Sequence, residues 1–193
     1  MDKEAMIRIL EVAICDECVS IVYHKVTNVA GGEGASIKSK EWPRQELIMA
    51  YKETQELIRK ELNIYPVKDL MIKKISLSWK KDMDDRMFVD CIRIRGMITE
   101  EGLAAINFTS KIDRSIYGWR EMRSAAPEER KKVIKACYAH FDAVMWKLCN
   151  EAVLYVKGER AQQEFDFDDK GKENLSDFIK MIEGGKDGSD GKQ

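Results

Sequence analysis

Apolar and polar positions repeat with two different periods along this chain, and the changes of period mark its elements. Met6 to Ile14 and Val19 to Thr27 are dense in valine and isoleucine, and Gly31-Gly32-Glu33-Gly34 breaks the chain before the stretch ASIKSK at 35–40. A hairpin or meander is the simplest reading of this first quarter. Trp42-Pro43 then opens a helix, with Leu47, Ile48, Tyr51, Ile58 and Leu62 at helical spacing until Asn63 and Pro66 stop it. In the middle the period returns to two. Ile75, Leu77 and Trp79 alternate with Ser76 and Ser78, and after the turn-like KKDMDD, Ile92, Ile94 and Ile98 alternate with Arg93, Arg95 and Met97. AAINFTSKI at 104–112 is a further strand, so residues 70–112 read as an antiparallel meander.

The stretch RSIYGWREMRSAAPEE, 114–129, reads as loop, and from Pro127 a helix of about 30 residues, roughly 45 Å long, is expected. Its stripe carries Ile134, Cys137, Tyr138, Phe141, Met145, Leu148, Ala152 and Tyr155, and Gly158 ends it. The predicted fold class is α+β, an antiparallel sheet of about five strands with two helices packed on one face. Residues 1–158 form the domain, and 159–193 are an extended, largely disordered tail whose last residues, GGKDGSDGKQ, hold too little apolar surface to fold.

Composition narrows the function. The chain has 193 residues, 35% charged and 44% hydrophobic, with a formal net charge of -1, so nothing global attracts it to nucleic acid or to an anionic membrane. No apolar run approaches a membrane span of about 18 residues, the start lacks a signal-peptide layout, and a cytoplasmic protein is expected. Five cysteines, an odd number, point to reduced thiols. Phosphate loops, nucleophile elbows, zinc-protease helices and dinucleotide fingerprints are all missing, so no enzyme class is supported.

Four constellations stand out. Cys15-x-x-Cys18 and Cys137-x-x-His140 together could supply three thiolates and an imidazole to zinc, against the reading in which these cysteines fill a strand turn and a helix core. Acidic neighbours Asp16 and Glu17 disfavour a redox pair, which needs a low-pKa thiolate. Asp82, Asp84 and Asp85, with Glu100 and Glu101, read as solvated turns rather than a divalent-cation site. Arg93 and Arg95, with Lys73, Lys74 and Lys80, form a basic stripe on the open sheet face, and Tyr117, Trp119 and Arg120 add a loop able to stack on single-stranded nucleic acid.

The fourth constellation is Gln162, Phe165 and Phe167, a Q-x-x-F-x-F spacing just past the last helix, among Glu159, Glu164, Asp166, Asp168 and Asp169. It resembles the bacterial sliding-clamp-binding motif, in which a glutamine precedes two large apolar anchors; here Phe165 stands where that motif favours leucine. The alternative is that both rings fold back on the body. The order of S-I-K-S-K-x-x-P-R-x-E from Ser36, I-x-L-S-W-K-K-D from Ile75 and V-x-G-E-R-A-Q from Val156 is similar to a family of uncharacterised bacteriophage and prophage proteins. That resemblance covers most of residues 18–169, and Lys157 to Phe167 is its distinctive part. It implies an accessory protein of phage DNA metabolism, docking on a replication protein such as the clamp. The alternatives are a single-stranded nucleic-acid-binding protein using the basic sheet face, and an inhibitor of a host defence protein.

Overall fold

The computed structural model describes residues 6–15, 18–26, 33–64, 69–99 and 104–159. Its elements in chain order are β1 (Met6–Cys15), β2 (Cys18–Val26), β3 (Glu33–Ser39), α1 (Gln45–Glu61), β4 (Asp69–Lys81), β5 (Met87–Thr99), β6 (Ile106–Asp113), α2 (Trp119–Ser124) and α3 (Arg130–Val156). The strands make one six-stranded sheet in the order β3-β2-β1-β4-β5-β6, every pair antiparallel. Two three-stranded meanders thus meet along β1 and β4, and α1 is the connection between them. The α+β class follows, with six strands where about five were expected because ASIKSK extends into a full edge strand.

α1 and α3 lie antiparallel, joined by Lys147–Glu53 at one level and by Arg44–Glu151 at 3.0 Å at another. Between the helices and the sheet sits one core. Ile9, Val12, Ile21, Ile75, Ile92, Ile94 and Ile112 from the strands meet Leu47, Ile58, Phe141, Met145, Leu148 and Tyr155 from the helices. Each such side chain contributes about 1.5 to 3 kcal/mol when removed from water, so this cluster is what holds the layers together. Two tyrosines fasten the helices to backbone: Tyr51 donates its hydroxyl to the Ile72 carbonyl at 3.2 Å, and Tyr155 donates to that of Glu41 at 2.7 Å. Thr54, wholly buried in α1, donates its hydroxyl back to the Ala50 carbonyl at 2.9 Å, so no polar atom is stranded there.

Strict alternation fails at three places, each for the same reason. The pairing register skips Leu10 in β1, Lys73 in β4 and Asp90 in β5, one unpaired residue in each strand. Buried positions therefore shift parity, from Leu70 and Ile72 to Ile75 and Leu77 in β4. Trp79 keeps its packing against the core, and its indole N–H donates to the Ile9 carbonyl at 2.7 Å.

The helix boundaries differ from expectation at three points, the first being α1, which starts at Gln45 with Arg44 as its N-cap rather than at Trp42-Pro43. α3 starts at Arg130 rather than Pro127, because Ala126 to Glu129 close a turn, with Glu129 and Arg130 both donating to the Ala126 carbonyl. α2 occupies part of the stretch read as loop; its one buried residue, Met122, leaves no periodicity to detect. The stops agree. Asn63 takes a left-handed φ of 54° and Gly158 one of 100°, and in both cases the next amide reaches back five residues, Ile64 to Arg59 and Glu159 to Leu154.

Candidate functional site

Gln162, Phe165 and Phe167 lie outside the described residues. The described chain ends just before them, at a helix terminus that is firmly held. Arg44 donates from one guanidinium nitrogen to Glu159 at 2.8 Å and from the other to Glu151 at 3.0 Å. The Glu151 bond is the main reason the Arg44 pKa is raised. Together with the Tyr155 tether to Glu41, this ties the last turn of α3 to the start of α1.

Arg93 and Arg95 are exposed on the sheet face turned away from the helices. Their neighbours there are neutralised: Lys74 pairs with Glu11 at 2.8 Å, Lys80 with Asp90 at 2.8 Å and Lys111 with Asp113 at 2.6 Å. Lys73 donates to the Asn107 side-chain carbonyl at 3.0 Å. Neither Arg93 nor Arg95 has an ion-pair partner among the described residues. Arg93 and Arg95 thus stand two positions apart on this face of β5, unpaired among the described residues.

The stacking loop does not assemble as expected. Tyr117 is 3% exposed; its hydroxyl meets His140 Nδ1 at 2.7 Å, and its ring stacks on the imidazole at 5.9 Å. Burial pushes its pKa up to about 12. A ring so enclosed offers no face to a base. The cause is Gly118, whose φ of 74° turns the chain against α3 so closely that a β-carbon there would stand 2.4 Å from Cys137 Sγ. Trp119, 54% exposed, and Arg120, exposed beside it on α2, remain accessible.

The four zinc candidates divide into separate partnerships. Cys15 and Cys18 face each other across the β1–β2 pair with sulfurs 3.0 Å apart, while Cys137 packs under Gly118 and His140 holds Tyr117. Burial, with Glu121 second, raises the Cys137 pKa, the wrong direction for a ready thiolate. Among the described residues no group of three or more His, Cys, Asp or Glu is disposed to hold a metal. Asp82 shows what the hairpin acids do: its carboxylate accepts the amides of Asp84 at 2.9 Å and Arg86 at 2.8 Å, organising the turn.

A concavity lies where the sequence shows no motif. A cavity of about 720 Å³ opens between the β4–β5 hairpin and α3, lined by Trp79, Met83, Phe88, Arg114, Asp142 and Trp146 among others. A second, of about 420 Å³, continues along α3 past Lys131, Lys135 and Tyr138. Arg114 and Asp142 line both. Arg114 donates twice to Asp142, at 2.6 Å from Nε and from Nη2, and its guanidinium stands 4.9 Å from the Phe88 ring and 4.6 Å from the Tyr138 ring. The Asp142 bonds are the first cause of its raised pKa. Trp146 is 58% exposed at one end.

Compared with family models, curated proteins and solved structures, the chain matches none. No helix among the described residues is long and apolar enough to cross a membrane.

The groove had one sequence signal. Lys131, Lys135, Tyr138, Asp142 and Trp146 recur every three or four residues and so share one flank of α3. Because Tyr138 also falls within the apolar stripe, that flank does not stand out in the sequence as a surface of its own. Arg114 reads in the sequence only as a cation near Tyr117 and Trp119, and nothing local places it against α3.

Proposed function

We propose that this protein is a non-enzymatic accessory of phage or prophage DNA metabolism that docks on a replication protein through Gln162, Phe165 and Phe167, the sliding clamp being the partner its spacing resembles. The observation that supports this is the held exit of the chain. Arg44 and Tyr155 fix the end of α3, and Q-x-x-F-x-F begins three residues beyond Glu159. A short peptide leaving a rigid point loses less freedom on docking than one on a fraying helix. In this reading the glutamine satisfies backbone groups at a pocket rim and each phenylalanine contributes about 1.5 to 3 kcal/mol, partly offset by ordering, which gives micromolar affinity. Pull-down with purified clamp tests it: wild type is retained and Phe165→Ala/Phe167→Ala is not. Equal retention of the two, or none of either, defeats the proposal.

Arg93 and Arg95 favour a second reading, in which the open sheet face binds single-stranded nucleic acid through phosphate contacts. Its test is salt-sensitive binding that survives deletion of residues 159–193 and is lost in Arg93→Glu/Arg95→Glu.

A further inference from the structure

The groove along α3 carries an inference of its own, independent of the C-terminal peptide and of the sheet face. We infer that the flank of α3 running from Lys131 and Lys135 past Tyr138 to Trp146 is a binding track for single-stranded nucleic acid.

Three observations converge. The first is adjacency: the two concavities share Arg114 and Asp142 in their linings, so they lie next to each other along the helix. From Lys131 to Trp146 the rise is about 22 Å, the length of roughly 3 to 4 extended nucleotides. The second is charge. The linings hold Lys81, Arg86, Arg114, Lys131 and Lys135 against Asp82 and Asp142. Some of that charge is spent locally, Arg114 on Asp142, Lys81 on Asp85 and Arg86 on Asp84. Lys131 and Lys135 have no acidic partner among the described residues, and Arg130 and Lys132 stand beside them. Glu128 and Glu129 precede this cluster, but the first turn of α3 itself holds no acid. Cations at the positive end of a helix dipole work against the helix, so the stability of α3 does not explain them, whereas a polyanion does.

The third observation is aromatic placement. Trp146 stands exposed in the lining of the larger of these two concavities, and Phe88 and Tyr138 flank Arg114 where they adjoin. Cations at one end and exposed or half-exposed rings along the path are the two components that non-specific single-strand binding needs, the backbone held by charge and the bases by stacking. The fully exposed Met83 across from Trp146 widens the apolar wall on which a base can rest.

An acidic peptide with apolar anchors would use some of the same features, and the experiment separates the two. The full chain is titrated into a fluorescein-labelled 12-nucleotide DNA at several salt concentrations and followed by anisotropy, with circular dichroism as the folding control. Wild type is expected to bind with an affinity that falls as salt rises. Trp146→Ala, a change at an exposed position, is expected to weaken binding about fivefold or more. Lys131→Glu/Lys135→Glu is expected to lower the slope of log affinity against log salt by about 1.4, the effect of two phosphate contacts on a single strand. The inference is overturned if the wild type fails to bind at low salt. It is equally overturned if both groove variants bind as wild type does, or if only Arg93→Glu/Arg95→Glu loses binding, which returns the site to the sheet. Binding of an acidic, phenylalanine-containing peptide with no binding of the oligonucleotide also overturns it.

Discussion

Individual side chains around Tyr117 show how burial decides chemistry here. Its hydroxyl is half of a hydrogen bond that His140 completes, so Tyr117→Phe removes one partner and should cost about 0.5 to 1.5 kcal/mol, read as a shift in the urea midpoint at unchanged slope. Cys149 gives a pH dependence. Burial pushes its thiol from 9.0 up to about 12, so the folded protein holds that proton more tightly than the unfolded chain does. The associated stability is fully present below about pH 9 and is lost as the pH rises toward 12. Urea midpoints at pH 8 and near pH 11 should therefore fall further apart in wild type than in Cys149→Ala, whatever the variant loses at both. Glu121 works in the opposite direction. The bond from Lys60, at 2.7 Å, lowers its pKa, so its contribution is present above the ordinary carboxylate range and fades in acid.

Among elements, the decisive joints are those where a helix end meets something else. Gly118 combines a left-handed φ with contact against Cys137, and Gly118→Ala should cost about 2 to 4 kcal/mol, the sum of backbone strain and overpacking, measured by chemical denaturation. Arg44→Ala releases the end of α3, and amide hydrogen exchange should quicken over Glu151 to Glu159 while the sheet stays protected. These joints also show what was legible in advance. Asn63 and Gly158 announce their helix stops because a left-handed residue has few alternatives. α2 announces nothing, since six residues with one buried side chain cannot display a period. Alternation with Ile75 and Leu77 puts Trp79 on the apolar side, as observed, although its indole bond to Ile9 depends on β1 and β4 being neighbours, which no local pattern encodes.

At the scale of the whole molecule, two meanders joined through β1 and β4 put every helix contact on one side and leave the other to charge. The alternation of isoleucine with serine and arginine fixed that division in advance, so the exposure of Arg93 and Arg95 was readable. The α3 groove was not, because it is assembled from a hairpin, the segment after β6 and one flank of a helix, and only folding makes them adjacent. The three skipped residues have a consequence for how this sheet can change over time. Removing one residue from a regular strand turns every later side chain to the wrong face. Removing Lys73 instead leaves Leu70, Ile72, Ile75 and Leu77 on the same face in plain alternation, at the cost of one exposed amine and its bond to Asn107. β4 should therefore tolerate loss of Lys73 as a folded, protease-resistant protein, where loss of Ser76 produces an insoluble one. The bulge is a place where the length of the chain is free to vary without rewriting the core.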